Sequence, residues 1–183
     1  MTVKEVLIKA AKLLSLDEAA AFLETGEEGT ENAQANALLT CFHTVENELA
    51  LDYFPLRIEE TLQTQTGAIV YEELSKKAVR ILFVHDEWGN ELPFKTFPEY
   101  VKTQSGKITI GYCYLPEEKT LAGECDFKLF VSVRMMAYGI AAEYALQNGM
   151  FEDAAVWNKK YKDAICAAYK NFKSVKIKQR RWV

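Results

Sequence analysis

The chain has 183 residues, 49% of them apolar and 26% charged, with a net charge of −4. Such a balance suits a globular protein with a full core and excludes a disordered or membrane-embedded chain. No run approaches the ~18 consecutive apolar residues of a membrane span, and the amphipathic start lacks the apolar stretch of a signal peptide. The expectation is a protein made in the cytoplasm, without a membrane partner.

Residues 2–24 read as one amphipathic helix or two short ones. Val3, Val6, Leu7, Ala10, Leu13 and Leu14 share a face, and Ser15 is placed to cap a second piece ending at Phe22 and Leu23. Thr25 to Thr30 is a polar, glycine-punctuated linker. A long helix is expected from Asn32, with Ala35, Leu38, Leu39, Phe42, Val45, Leu49 and Tyr53 on one face. Pro55 ends or bends it, because proline lacks the N–H and clashes with the preceding turn.

The apolar period then changes. Residues 68–71, 78–84 and 107–114 are rich in β-branched and aromatic side chains bounded by turn residues, as strands are. Glu87–Asn90 reads as a hairpin turn toward a strand near Glu91–Phe94, and Gln104–Lys107 as another. Past Leu115–Pro116, an acidic segment leads to a helix with Val133, Met136, Ala137, Ile140, Ala141 and Tyr144 on one face. Asn148–Gly149 supplies its C-terminal cap. Glu152 and Asp153 then open a second helix, continued by Ala154, Trp157, Tyr161, Ile165, Ala168 and Phe172, and so short a connection makes the two antiparallel neighbours.

The expected fold class is therefore α+β: a mainly α-helical bundle of about four helices, with a small antiparallel β-sheet inserted between the second and third long helices. Residues 1–173 form a single domain in this reading, with the β subdomain at about 66–116 and a basic C-terminal arm at 174–183.

The ends of the chain carry opposite charge. Residues 1–64 hold twelve acids against four bases, whereas no acidic side chain follows Asp163 and six bases do. One reading of the last residues is a frayed, solvated end. The sharper one is an arm that orders on a partner, with Val175, Ile177 and Trp182 seated in apolar pockets while Lys176, Lys178, Arg180 and Arg181 meet an acidic surface or phosphates. The acidic half of a neighbouring copy fits that description, as in a head-to-tail ring.

Catalytic fingerprints are missing: there is no GxSxG, GxxxxGK[ST], HExxH or GxGxxG. His85–Asp86–Glu87 is the one local cluster of ionisable residues with catalytic potential, and its place beside a Trp–Gly–Asn turn reads as an exposed hairpin tip. Glu59–Glu60, Glu72–Glu73 and Glu117–Glu118 read as solvated faces. The scattered Cys41, Cys113, Cys125 and Cys166 read as buried free thiols. Tyr112, Tyr114, Tyr138, Tyr144, Trp157, Tyr161 and Tyr169 fall at strand or helix spacing, so core packing or subunit contacts account for them better than base stacking. The expectation is a non-enzyme with no catalytic residue, cofactor or metal.

The element order carries a resemblance. A helix broken at Tyr53–Phe54–Pro55–Leu56 is followed by strands with Ile69–Val70–Tyr71 and Val79–Val84, then Tyr112–Cys113–Tyr114–Leu115–Pro116. Ala137–Tyr138–Gly139–Ile140–Ala141–Ala142–Glu143–Tyr144 and Asn148 to Trp157 follow. Over most of its length the chain is similar to head-to-tail adaptor (connector, neck) proteins of tailed bacteriophages and prophages. That resemblance implies a structural virion protein forming a homo-oligomeric ring, commonly dodecameric, below the portal protein. The ring extends the DNA channel without sequence-specific binding and docks the next neck or tail protein, and the C-terminal segment embraces the portal. The alternatives are another phage part, such as a tail terminator or completion protein, and a small cytoplasmic enzyme using His85, Asp86 and Glu87.

Overall fold

A computed structural model describes residues 1–25 and 32–172. The described residues divide into two compact units, one formed by residues 1–25, 32–46 and 118–172, the other by residues 47–117.

The first unit is helical. Helix α1 (Val3–Leu13) starts at Thr2, whose Oγ1 accepts the Glu5 N–H at 3.2 Å. It ends at Ser15, which takes φ +55° while the Leu16 N–H returns to the Ala11 carbonyl at 2.9 Å. Ser15 therefore closes α1 rather than capping α2 (Asp17–Thr25), a role usually left to glycine. Helix α3 (Ala33–Glu48) begins under Asn32, whose Oδ1 accepts the Ala35 N–H at 3.0 Å.

Helix α4 (Val133–Gln147) is capped by Ser132 at its start. At its end Gly149 turns at φ +73°, the Met150 N–H reaches the Ala145 carbonyl and the Gly149 N–H the Leu146 carbonyl. Helix α5 (Phe151–Phe172) follows directly. Helix α1 packs on α2 and α4, and α4 packs on α5. Neighbours on several sides explain why Met135, Tyr138, Gly139 and Ala145 are buried along with Met136, Ala137, Ile140, Ala141 and Tyr144, so α4 is a central helix and not a one-faced one. Gly139 permits the approach: a Cβ there would lie 2.8 Å from Val45 Cγ1 and 3.0 Å from the Tyr161 ring.

The second unit starts with a π-helical turn, Leu49–Tyr53, closed by the Phe54 N–H on the Leu49 carbonyl at 2.7 Å just before Pro55. Strand β1 (Leu56–Thr64) pairs along its whole length with β6 (Gly106–Tyr114). The other edge of β6 takes β3 (Ala78–Asp86), which is bulged between Ala78 and Arg80 and between Ile81 and Phe83. A second sheet runs in the order β2 (Ala68–Val70), β5 (Tyr100–Lys102), β4 (Lys95–Thr96). Ile69 and Val101 of this sheet share a core with Ile81, Val84, Ile108, Ile110 and Tyr112 of the first.

These observations correct the expected fold class. The described residues contain five α-helices and two three-stranded antiparallel sheets, not about four helices with one inserted sheet. The extra helix comes from the break at Ser15, which separates α1 from α2. The second sheet arises because β5 pairs with β2 and β4, so Gln104–Lys107 connects two sheets and does not close a hairpin. Beyond the Asp86–Asn90 turn, only His85 and Glu91 bridge, and the expected strand near Glu91–Phe94 is replaced by the two-residue β4.

Candidate partner-binding surface

The helical unit presents a cation–aromatic seam where α4 meets α5. Arg134 and Tyr138 lie one turn apart on α4, and Trp157 and Lys160 one turn apart on α5. The Tyr138 and Trp157 rings stack with centroids 5.8 Å apart at 23°. Arg134 Nε donates to the Tyr138 hydroxyl at 2.6 Å, and its guanidinium carbon lies 5.3 Å from the ring centroid. The Lys160 ammonium sits 4.2 Å from the Trp157 ring and 5.9 Å from that of Tyr138.

Two cations are thus held in place by aromatic faces, with the terminal nitrogens of Arg134 left to meet an anion. Both are exposed, and among the described residues neither makes an ion pair. They line an open cavity of about 430 Å³ with Tyr138, Asp163 and Ala164. At the α4–α5 turn, Leu146, Met150 and Phe151 are exposed, Phe151 by 68%, and Leu129 ahead of α4 is exposed by 71%. A unit that bares both large apolar side chains and a fixed charge pair suits contact with a protein surface.

Two further polar clusters hold loops in place. In the helical unit, Glu46 Oε1 accepts the Asp126 N–H at 3.1 Å and His43 Nε2 accepts the Lys119 N–H at 2.9 Å, tying the 118–126 segment to α3. Lys119 and Asp126 form an ion pair at 3.1 Å across it. Burial pushes the Glu46 carboxyl above its ordinary range, opposed by the Asp126 N–H, the Cys125 thiol and the Lys119 charge. Its Oε2 is buried with no well-formed hydrogen bond among the described residues.

In the stranded unit, Glu60 accepts from the Ser75 hydroxyl, from the Ser75 N–H at 3.1 Å and from the fully buried Tyr112 hydroxyl. The Lys76 N–H donates to that same Tyr112 oxygen at 3.2 Å. Burial raises the Glu60 carboxyl, but the hydrogen bonds from Ser75 and Tyr112 outweigh it and leave the group below its usual range. Beside this knot, the same unit opens a groove of about 820 Å³ lined by Leu74, Val79, Arg80, Phe94 and Phe97 among others.

The residues singled out in the sequence are dispersed. Val175, Lys176, Ile177, Lys178, Arg180, Arg181 and Trp182 lie outside the described residues, as do 26–31 of the linker. His85, Asp86 and Glu87 do not converge. The His85 ring stacks on Phe83 at 4.4 Å, while Asp86 Oδ1 accepts the Trp88 and Asn90 N–H groups at 2.9 and 2.8 Å and so builds the turn.

Cys41, Cys113 and Cys125 are buried free thiols, Cys41 pushed up to about 11 and Cys125 to about 12, chiefly by burial; Cys166 is exposed. Glu59 and Glu60 lie on a strand and face opposite ways, Glu59 exposed and Glu60 turned inward. No helix among the described residues is long and apolar enough to cross a membrane.

The chain matches no protein-family model, and a search of curated proteins returns no match.

Proposed function

We propose that the chain is a non-catalytic structural protein of a tailed-bacteriophage neck, a head-to-tail adaptor made in the bacterial cytoplasm. Copies close into a ring below the portal protein, extend the DNA channel and dock the next neck or tail protein. The observation that carries this reading is the pair of exposed cations, Arg134 and Lys160, held on the buried Tyr138 and half-buried Trp157 rings, in a helical unit that also bares Leu146, Met150 and Phe151 at its α4–α5 turn. A unit with both held cations and exposed apolar area is suited to binding another protein. The element order and the acidic-to-basic asymmetry of the sequence support the same role.

In this reading the segment from Val175 to Trp182 grips the portal. The test is pull-down and particle assembly with the portal protein of the same genome, comparing the whole chain with one truncated after Phe172. Truncation is expected to abolish portal binding. Unchanged binding and assembly would remove the arm from the proposal.

A further inference from the structure

We infer that the Arg134–Lys160 seam of one copy receives helix α2 of the next, with Asp17 and Glu18 as the carboxylates that meet the two cations. The inference rests on the ring reading above and names the surfaces that would make the ring. Packing runs α2 to α1, α1 to α4 and α4 to α5, which puts α2 and α5 at the two ends of one series within the helical unit.

The two ends are complementary. On α2, Ala19, Ala20 and Leu23 are buried, while Asp17, Glu18, Ala21 and Glu24 are exposed. Glu24 is paired with Lys12 at 2.6 Å, but Asp17 and Glu18 make no ion pair among the described residues. At the other end Arg134 of α4 and Lys160 of α5 likewise make no ion pair among the described residues, and Ala21 is small enough to let the α2 backbone come close. A contact that joins two different surfaces of identical copies is heterologous, the kind that generates rings when its rotation closes.

The seam also indicates what kind of anion it takes. Asp163 lines the same cavity as Arg134 and Lys160, within which the three groups sum to a single positive charge. A site so nearly neutralised suits one or two carboxylates held at fixed positions rather than the dense charge of a nucleic-acid backbone. Asp17 and Glu18 also complement the dipole at the α2 N-terminus, so loss of assembly on changing them would not by itself identify their partner.

A mixing experiment separates these cases. One variant carries Asp17→Lys and Glu18→Lys, the other Arg134→Glu and Lys160→Glu, and each is followed by sedimentation velocity alone and as an equimolar mixture. Each alone is expected to need at least roughly tenfold more protein to assemble than the unchanged chain. Mixed, the two should co-assemble, because every junction then pairs a natural acid face with a natural basic seam or a reversed seam with a reversed face. Co-assembly also shows that both variants fold.

Assembly of each variant alone like the unchanged chain would overturn the inference, as would a mixture that stays unassembled. Loss of duplex-DNA binding in the Arg134→Glu, Lys160→Glu variant, with assembly intact, would overturn it in favour of a nucleic-acid site. An unchanged chain that is monomeric at every concentration would instead overturn the ring reading itself.

Discussion

Glu46 in the helical unit and Glu60 in the stranded unit perform the same structural task with opposite electrostatics. Each carboxylate reaches from a regular element to a loop and accepts a backbone N–H there, from Asp126 for Glu46 and from Ser75 for Glu60. Glu60 gains two hydroxyl donors as well, and those bonds hold it in its charged form. Glu46 has only the weak Cys125 thiol besides that N–H, its Oε2 is buried with no well-formed hydrogen bond among the described residues, and burial favours its protonated form. The lesson is one of reserve. The helical unit has a large apolar core and can carry a poorly satisfied carboxylate, whereas the small two-sheet unit relies on a well-satisfied one.

The largest expected effect comes from breaking the better-satisfied side. Glu60→Ala leaves the buried Tyr112 hydroxyl without its acceptor and returns the exposed Ser75 groups to water, and should destabilise the stranded unit by about 2–3 kcal/mol. Tyr112→Phe removes the donor to Glu60 together with the acceptor of the Lys76 N–H, and should cost about 1–2 kcal/mol. Native-state hydrogen exchange of the β6 amides, compared with those of α4, reads both and should show the loss confined to residues 47–117.

pH sharpens the same comparison. The folded value for Glu46 lies above its unfolded one, so its contribution favours folding at acidic pH and declines as pH rises through the folded value. Glu60 is depressed, so its contribution is present above the usual carboxylate range and lost as pH falls through the folded value. Acidification is therefore expected to expose β6 amides to exchange before those of α4. Glu46→Gln should flatten the pH dependence of α4 protection and leave that of β6 unchanged. Parallel loss of protection in both units would contradict this pair of assignments.

What the sequence revealed follows the range of the interactions concerned. The α4–α5 turn is legible because Asn148–Gly149 is local chemistry, and the long helix under Asn32 is legible for the same reason. Strand β1 escaped because Glu60 occupies an inward position between Ile58 and Leu62, breaking the apolar alternation a strand is read from; only the partners Tyr112 and Ser75, far along the chain, make a carboxylate acceptable there.

The second sheet escaped for a related reason. Whether β5 joins β6 across Gln104–Gly106 or crosses to β2 depends on pairings that no turn residue encodes. The Arg134–Tyr138 and Trp157–Lys160 spacings are visible as helix neighbours, but that the two pairs stack on one another depends on how α5 folds back along α4.

Self-association through the helical unit is the claim on which the functional account depends. Native mass spectrometry of the full chain over a wide concentration range tests it most directly. The account predicts one closed oligomer whose mass stays constant once it forms. A monomer at all concentrations, or a ladder of species that lengthens without limit, would contradict it.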